Sequence, residues 1–576
     1  MKALVLDAET LPIVSLVISQ TEILQRDVFL VETIDKSIIE RGAERLGHLS
    51  GVYFIRPSNE NLMLLQRGLE YPKYGSISIY FTNAVPEQML KDLAGASISI
   101  YFTNAVPEQM LKDLAGADRL DLIKNVVEVF ADIYPINHDL FSLNLPSVIG
   151  LTKPRQRWTR IDDGCFDRMV DGVFASLLAL RKFPVIRYQR SSEVCTLLAE
   201  RLHAKLRVDP DLMTTYASRQ GFGHKTTIDN VDQSSVILIV DRREDPVTPL
   251  LHQWTYQAML HELLGIDHNK VRLKQISTAD KEVPLSCIQD EFYQQFMFAS
   301  FGDLAEGIHE YVSEYEKKHQ QNSNMESIED MKKFIEVYPE FSKMAGNVSK
   351  HVTLTSELDN RIKARMLLDV SELEQDIACN ENKTEHFRKI MELLQNPRYN
   401  TMDKLKLVLL FALRYENDDK IGQLKDLLQN CGIKEEQVNL VDTISTYAGS
   451  RVRSCDLFHN KNMISRARYH ITTVMKNVPN VFTQHQSYIS TLIDQALKQR
   501  LKDSEFPATS AFNPKEIIAN LVVFVIGGAT YEEGKEIGVF NRKGSDATVL
   551  LGSNYIHSSV SFLAEISQLI MNRINL

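Results

Sequence analysis

A cluster of charged residues that could act together follows a buried strand pattern near the middle of the chain. Val236–Val240 is an unbroken apolar run rich in β-branched residues, and Asp241, Arg242 and Asp245 come directly after it. Carboxylates can transfer protons, but an arginine stays charged and cannot carry one. An acid–base role would therefore fall on Asp245 alone, so we favour an ion pair and a helix cap that join the strand to the next element.

Several catalytic or cofactor motifs are approached but incomplete. His261 opens a pattern similar to the zinc motif HExxH, but Gly265 stands where the second histidine ligand is needed. Gly223–Thr226 lacks the glycine that precedes the lysine of a phosphate loop, and Gly527 and Gly528 lack the GxGxxG spacing of a dinucleotide site. We interpret the glycine pair as a tight, closely packed turn, and we expect no metal ion and no cofactor. An α/β hydrolase or nucleotide-dependent enzyme with a site of dispersed residues remains the alternative.

The composition is that of a globular, acidic protein. The 576 residues exceed the size, about 250–300 residues, at which single cores divide, so we expect two or three domains. A net charge of −10 argues against a nucleic-acid binder. The six cysteines include no CxxC pair, and no apolar stretch approaches the ~20 residues of a membrane span. We expect a cytosolic monomer that reaches membranes only through a partner.

The chain before residue 246 alternates between strand and helix patterns. The strand patterns lie at 2–7, 27–32, 51–56, 184–188 and 235–241. Such alternation is typical of a mainly parallel sheet covered by helices. We assign 1–141 to an N-terminal α/β domain and 142–245 to the first part of a middle α/β domain.

A perfect tandem repeat interrupts the N-terminal region. The 21 residues SISIYFTNAVPEQMLKDLAGA occur at 76–96 and again at 97–117, identical at every position. Each copy is a strand pattern followed by a short helix that begins at Pro86 or Pro107. Repeat architectures diverge between copies and need about three units for stability. We therefore interpret the pair as a recent duplication or an error in the gene model, and we expect one copy to loop out rather than to add an edge strand.

The segment after the repeat, Asp118–Phe130, has apolar residues at helical spacing. The two stripes are Leu120, Ile123, Val127 and Phe130 on one face, and Leu122, Val126 and Val129 on the next. We predict a helix here. A wide apolar arc indicates either deep burial or a groove that accepts an apolar side chain of a partner, and both interpretations stay open at this point.

Helical patterns dominate from residue 246 to 488. Pro246 and Pro249 exclude a continued strand, and a helical pattern runs from Leu250 to a C-cap at Gly265. A helical hairpin is predicted at about 291–352. Its polar tip is 317–327, and its second helix starts at Ile328 and ends at Pro339.

Strand patterns return near the C-terminus, at 520–528 and 548–552, before a closing helix from Ser558. Strands that reappear after a helical region indicate a return to the earlier sheet. We therefore predict that 246–488 is a helical insertion and that 489–576 is the second part of the middle domain.

Six segments, spread over nearly the whole chain, carry a resemblance to a known family. They are DRREDPVTPLLHQWTYQAMLHELLGI at 241–266, VVFVIGGATYEE at 522–533, GLTKPRQRW at 150–158, FPVIRYQR at 183–190, SKHVTL at 349–354 and TQHQ at 483–486. The chain resembles the SM (Sec/Munc) family, the SNARE-binding proteins of vesicle fusion. Within that family, its sequence is most similar to the trans-Golgi and endosomal branch.

The resemblance implies a fold and a function. The expected fold is α/β plus α: a three-domain arch in which two α/β domains have mainly parallel sheets and the second carries a large helical insertion. The expected function is non-enzymatic regulation of SNARE assembly. The implied partners are a syntaxin-type SNARE, the assembled SNARE complex and a vesicle SNARE, on Golgi, endosomal or vacuolar membranes.

The resemblance also implies residue roles. Carried over by position, the groove for the syntaxin N-terminal peptide takes Leu111, Val126 and Glu128, with Leu114 and Val129 as neighbours. In the hairpin, Pro339 falls on the family's hinge proline and Val352 on its apolar contact with the vesicle SNARE. The structural signature of the family falls on Asp241, Arg242, Asp245, Pro249, Gly527 and Gly528.

Overall fold

A computed structural model describes most of the chain, and its described residues fall into two compact units. The described residues are 1–8, 10–18, 20–34, 46–55, 61, 63–65, 73–81, 98–102, 123–128, 133–208, 232–273, 281–323, 328–458, 481–482, 484–513 and 516–571. The first unit takes Met1–Asn144, Asp163–Val185 and Leu198–Ser235. The second takes Leu145–Asp162, Ile186–Leu197 and Val236–Leu576.

Up to residue 241, the structure describes ten strands and four α-helices. The strands are β1 Lys2–Leu6, β2 Val28–Thr33, β3 Leu46–Ile55, β4 Tyr74–Phe81, β5 Ile98–Phe102, β6 Ile123–Glu128, β7 Tyr134–Asn137, β8 Leu140–Ser142, β9 Pro184–Tyr188 and β10 Asp232–Asp241. The helices are α1 Thr10–Val17, α2 Gln20–Gln25, α3 Arg160–Ala179 and α4 Glu193–Val208. All five strand predictions in this part of the chain are confirmed.

The first unit is built on a parallel sheet with the order β2-β1-β3-β4-β5-β6. Every neighbouring pair in it is parallel. In β1, Ala3, Val5 and Leu6 are fully buried, as expected for a strand covered on both faces. β7 and β8 pair with each other in antiparallel fashion and do not belong to this sheet.

Both copies of the tandem repeat supply a strand to this sheet, so the prediction that one copy loops out is wrong. Ile79, Tyr80 and Phe81 of β4 pair with Ile100, Tyr101 and Phe102 of β5, so each residue lies beside its own duplicate. β5 pairs with β6 on its other side. The physical reason is that parallel neighbours need a crossover of about a dozen residues or more, and the segment 82–97 is long enough for one.

Deleting 76–96 is expected to leave a folded protein. The remaining copy would pair with β3 as β4 does now and with β6 as β5 does now, because the two copies are identical. We expect the melting temperature and partner binding of the parent. Insolubility, or a melting temperature well below the parent's, would show that both copies are structural.

The segment after the repeat also differs from its prediction. Ile123–Glu128, inside the predicted helix Asp118–Phe130, is the edge strand β6. The helical prediction is wrong there because β-branched residues such as Ile123, Val126 and Val127 lose rotamer freedom in a helix and favour a pleated sheet. The other residues of the predicted helix lie outside the described ranges.

The second unit joins the last strands to a large helical region. Beyond β10, its strands are β11 Lys270–Leu273, β12 Lys281–Pro284, β13 Asn520–Ile526 and β14 Thr548–Ser553. Its helices are α5 Tyr256–Met259, α6 Glu291–Phe296, α7 Phe301–Ser323, α8 Ile328–Arg365, α9 Leu367–Cys379, α10 Lys383–Gln395, α11 Thr401–Arg414, α12 Lys420–Asn430, α13 Glu435–Val438, α14 Leu440–Ala448, α15 Tyr488–Leu497, α16 Tyr531–Arg542 and α17 Ser559–Met571. β10 lies between β9 and β13, and β14 follows β13. The predicted return of the C-terminal strands to the earlier sheet is confirmed.

The hairpin is present, but its boundaries differ from the prediction. α7 runs to Ser323, and α8 packs against it and continues through Pro339 to Arg365. The prediction that the second helix ends at Pro339 is wrong. A proline removes one hydrogen bond and costs about 3 kcal/mol inside a helix. α8 also carries the buried stripe Leu354, Leu358 and Ile362 at a spacing of four residues, which stabilises its C-terminal half.

The helix predicted from Leu250 to Gly265 begins later than expected. Thr248–Leu250 is a single 3-10 turn, and the α-helix starts at Tyr256. A π-type turn over Leu260–Leu264 follows it and ends at Gly265, whose φ is 84°. The C-cap prediction is therefore confirmed, because this backbone conformation favours glycine.

Candidate functional site

The signature segment forms the joint between β10 and the helical region. Asp241 ends β10 and caps a 3-10 turn over Arg242–Glu244, accepting a hydrogen bond from the Arg243 N–H at 2.9 Å. The Arg243 guanidinium returns to the same carboxylate at 2.6 Å. Ser192 donates to Asp241 at 2.6 Å as well. Burial would raise the pKa of Asp241, but Arg243 and these hydrogen bonds hold it below its usual value.

Arg242 connects the two signature blocks of the chain. Its Nη1 donates to both carboxylate oxygens of Glu533, at 2.8 and 2.9 Å, and its Nη2 lies 3.7 Å from Asp245. The side chain is 2% exposed and both carboxylates are fully buried. Burial would lower the pKa of Arg242, but the charges of Glu533 and Asp245 raise it above its ordinary value. The predicted ion pair of Arg242 with Asp245 is therefore present. Glu533 lies closer to the Arg242 guanidinium than Asp245 does.

Asp245 orders the turn that follows. Its carboxylate accepts the N–H groups of Val247, Thr248 and Tyr488 at 3.1, 2.9 and 3.0 Å. The Thr248 hydroxyl donates to it at 2.6 Å. Pro249, in the second position of the next 3-10 turn, is buried and has no N–H to satisfy. The carboxylate therefore acts as a hydrogen-bond acceptor that holds three separate backbone positions together.

Gly527 and Gly528 are required by both conformation and space. Their φ angles are 95° and 89°, a region that side chains strongly disfavour. A Cβ on Gly527 would lie 2.7 Å from the Arg242 Cβ, and one on Gly528 would lie 2.1 Å from the His557 Cδ2. Both N–H groups donate to the Asn554 side-chain oxygen, at 2.8 and 2.9 Å. The arrangement is the closely packed turn that the sequence predicts.

One pair of side chains in this region could suggest nucleophilic catalysis. Thr248 Oγ1 lies 3.0 Å from His485 Nε2, a distance that a nucleophile and its base also have. However, the threonine hydroxyl has one proton, and it donates that proton to Asp245. Thr248 as a whole is also only 1% exposed. The geometry therefore favours a structural contact over an activated nucleophile.

The other incomplete motifs also make structural contacts. Glu262, which follows His261, accepts the Ser559 N–H at 2.8 Å and lies 3.6 Å from Lys406. Burial would raise the pKa of Glu262, but Lys406 and its neighbours lower it to about 2. Within the described ranges, no three or more His, Cys, Asp or Glu side chains are arranged to hold a metal ion. Gly223–Thr226 lies outside those ranges.

The positions proposed for the syntaxin peptide are partly described. Val126 and Glu128 lie on β6, where they pair with Ile100 and Phe102 of β5. Leu111, Leu114 and Val129 lie outside the described residues. The two described positions therefore share a strand rather than a helix face. The assignment of the groove itself stays a prediction.

The hairpin positions lie on one long helix. Pro339 is inside α8, and Val352 is 41% exposed on the same helix. Next to Val352, His351 is buried and accepts or donates at both ring nitrogens, at 2.8 Å to Tyr256 and 2.8 Å to Asp290. Burial would raise the pKa of Asp290, but His351 and Lys350 bring it down to about 2. These contacts fix the rotation of α8 and hold residue 352 at the surface.

Sequence analysis did not find Glu533 and Asn554, which complete the signature joint. Glu533 carried a local signal: Thr530 and Glu533 have the S/T-x-x-E spacing of a capping box, and the structure forms both of its bonds. Asn554 carried none, since an asparagine after a strand is common in turns.

The fold and this joint define a class of protein. A sequence profile of the Sec1 family matches residues 2–99 and 95–565. The chain therefore belongs to the Sec1 family, whose members are the SM proteins. The two matched segments overlap where the two repeat copies meet, as expected for a chain with one copy more than the family pattern.

Within that family, the chain is similar to one kind of member along nearly its whole length. It is 38% identical over 571 residues to vacuolar protein sorting-associated protein 45 of Dictyostelium discoideum, covering 98% of this chain and 93% of that protein. It is 37% identical over 572 residues to the human protein of the same name, covering 98% and 92%. More distantly, it is 21% identical to the SNARE-interacting protein KEULE of Arabidopsis thaliana over 89% of this chain and 75% of that protein.

Solved structures give the same result. The structure of the SM protein Vps45 in complex with the Qa SNARE Tlg2 matches with a TM-score of 0.80 and 36% identity, covering 100% of this chain and 95% of that one. The Unc18–syntaxin 1 complex of Monosiga brevicollis matches with a TM-score of 0.72 at 19% identity, over 99% and 95%, and supports the fold alone. The expected fold class, α/β plus α with mainly parallel sheets, is confirmed. In the part of the chain that the structure describes, no helix is long and apolar enough to cross a bilayer.

Proposed function

We propose that this protein is an SM-type regulator of SNARE assembly that binds a syntaxin-type SNARE during vesicle transport. The observation that carries the proposal is the similarity to Vps45 over 98–100% of the chain, together with the solved Vps45 complex with a Qa SNARE. The assembled SNARE complex and a vesicle SNARE are the further partners. The protein acts without a cofactor, as a monomer, at Golgi, endosomal or vacuolar membranes that it reaches through its SNAREs.

The proposal includes a non-enzymatic mechanism and a domain division. The signature residues join two parts of the second unit and leave no activated nucleophile in the joint, which supports a binding role. The domains are 1–141, 142–245 with 489–576, and the helical insertion 246–488. The alternative, an α/β enzyme, requires a site outside the motifs described above.

Purification with endogenous partners distinguishes the two functions. Tagged protein should recover a syntaxin-type SNARE together with its SNARE partners, and the syntaxin can be identified by mass spectrometry. Recovery of a stoichiometric nucleotide or metal with no SNARE would support the enzyme instead.

Val126→Arg tests the proposed peptide groove. A charge at the docking position of an apolar anchor should remove about 2–4 kcal/mol of binding, a fall in affinity of roughly 30- to 1,000-fold. The measurement is the affinity of a syntaxin N-terminal peptide by calorimetry, with the melting temperature unchanged. Val31→Arg is the matched control, since Val31 is 44% exposed on β2 at the opposite edge of the same sheet. A large loss of stability in Val126→Arg would place Val126 in the core.

Val352→Asp tests the proposed contact with a vesicle SNARE. A carboxylate in an apolar contact should weaken vesicle-SNARE binding by roughly tenfold, ~1.4 kcal/mol, and slow fusion of reconstituted liposomes. Leu368→Asp is the control, because Leu368 is 48% exposed on the neighbouring helix α9. Equal effects of the two variants would remove Val352 from the site.

We still propose that Pro339 belongs to the hairpin surface that contacts the vesicle SNARE. Its expected role as the end of the second helix is not retained. If Pro339 ended the second helix, Pro339→Ala would let that helix continue through Phe341. Phe341 is already helical in α8, so this lengthening is not expected.

A further inference from the structure

A lysine and a cysteine in the helical region of the second unit donate to the same backbone carbonyl. Lys404 lies in the first turn of α11, and Cys431 follows the last residue of α12. The Lys404 Nζ donates to the Leu394 carbonyl oxygen at 2.7 Å, and the Cys431 Sγ donates to the same oxygen at 3.1 Å. That carbonyl belongs to the last turn of α10. The shared acceptor brings the amine and the thiol to 3.9 Å from each other.

The surroundings of Lys404 are unusual for a lysine. The residue is 4% exposed, and within the described ranges no carboxylate lies at ion-pair distance from its amine. A buried ammonium group without a counter-charge is costly, because water no longer solvates it. Desolvated lysines serve as amine nucleophiles in enzymes. The amine of Lys404 therefore combines a desolvated position with a thiol as its neighbour.

The sulfur of Cys431 can be reached by a small oxidant. Cys431 is half-buried, whereas Cys195 and Cys287 are buried. Reactive cysteines lie in partly exposed places beside basic side chains, because the thiolate is the form that reacts. Cys455 is also half-buried, but its thiol donates to the Glu244 carbonyl oxygen at 3.3 Å, and burial and the charge of Glu244 raise its pKa. Cys455 therefore offers a control of similar exposure in the opposite electrostatic setting.

We propose that Cys431 and Lys404 form a modification site that hydrogen peroxide converts into a covalent sulfur–nitrogen crosslink. First, an S–O bond forms at the Cys431 sulfur as the O–O bond of peroxide breaks, which gives a sulfenic acid and one water. The neutral amine of Lys404, after its ammonium proton has passed to solvent, then attacks that sulfur. An N–S bond forms, the S–O bond breaks, and the oxygen leaves as a second water with one proton of the amine. The sulfur loses two electrons, and peroxide accepts both.

The geometry suits this reaction. The flexible stem of the lysine allows its Nζ to close the gap of 3.9 Å without a movement of either helix. The crosslink would tie α11 to α12 across 27 residues of sequence, and a thiol reductant would reverse it. This inference does not depend on which SNARE the protein binds.

Peptide mass spectrometry of the full-length protein tests the proposal. After treatment with hydrogen peroxide and digestion with trypsin, peptides 399–406 and 426–434 should appear as one linked species that is lighter than their sum by two hydrogens. Dithiothreitol should remove this species. Absence of the linked species, or a linked species that retains an oxygen atom, would overturn the proposal.

Variants assign the chemistry to this pair. Lys404→Arg keeps the charge and the donor but removes the amine nucleophile, so the Cys431 sulfenic acid should persist and its labelling by dimedone should rise several-fold. Lys404→Met should give the same rise and serves as the second variant if the arginine unfolds the protein. Cys431→Ser should abolish the linked species, and Cys455→Ser should leave it unchanged. Equal dimedone labelling of Cys431 in the parent and in both Lys404 variants would contradict capture by Lys404.

Discussion

Replacing Arg242 with alanine is expected to lower the free energy of unfolding of the second unit by about 3–5 kcal/mol. The arginine is 2% exposed and supplies the counter-charge for two fully buried carboxylates, Glu533 and Asp245. Its removal would leave both carboxylates without a cation in a place where water cannot solvate them. Arg242→Lys should also destabilise the unit, because a lysine has one terminal nitrogen and cannot face Glu533 and Asp245 through two separate nitrogens.

Both tryptophans, Trp158 and Trp254, belong to the second unit, so their fluorescence during urea denaturation reports on it. Arg243→Ala is the matched control: Arg243 is 18% exposed and pairs with one carboxylate, Asp241, which keeps its hydrogen bond from Ser192, so a smaller loss of about 1–3 kcal/mol is expected. The double variant Arg242→Met with Glu533→Met should recover part of the lost stability, since an apolar pair leaves less charge unpaired. A loss in Arg242→Ala no larger than in Arg243→Ala would contradict this account.

Gly528→Ala is expected to destabilise the second unit by roughly 3–5 kcal/mol, as the sum of a left-handed backbone cost and forced repacking. Its φ is 89°, and the added Cβ would lie 2.1 Å from the His557 ring. That ring cannot move aside freely, because its Nε2 lies 2.9 Å from the buried Glu565.

A second glycine, Gly544, allows the cost of the left-handed backbone to be measured without the cost of repacking. Its φ is 69°, but nothing lies within 4 Å of a Cβ built there. Gly544→Ala should therefore show the backbone cost alone, about 1–2 kcal/mol. The two variants are compared by the same tryptophan-monitored denaturation. Equal losses would mean that close packing at Gly528 contributes nothing.

The sequence predicted strands such as β1 and β10 because their signals are local, and it missed the short strands β7, β8, β11 and β12. β1 and β10 contain short apolar runs bounded by charged or turn residues, a pattern typical of strands buried in a parallel sheet. β6 was missed because Ile123–Glu128 fits a helical stripe as well as a strand. Six residues are too few for periodicity to decide, and the choice depended on pairing with β5.

The remaining differences depend on contacts that are distant in sequence. Pro339 is a local signal for a helix end. The packing of α8 against α7, together with the buried stripe in the C-terminal half of α8, outweighs that signal. At the joint, the charge of Arg242 was visible, but its main partner, Glu533, lies far along the chain.

The insertion of β5 between β4 and β6 has a geometric consequence for recognition. Each strand added to a sheet moves its outer neighbour by about 4.8 Å and turns it by roughly 20–25°. β6 therefore lies one strand width farther from β3, and at a different angle to it, than in a sheet with one copy of the repeat. A ligand that touches β5 and β6 alone meets the same local surface in either sheet, because the copies are identical. A ligand that must reach from β3 to β6 meets a wider and more twisted one.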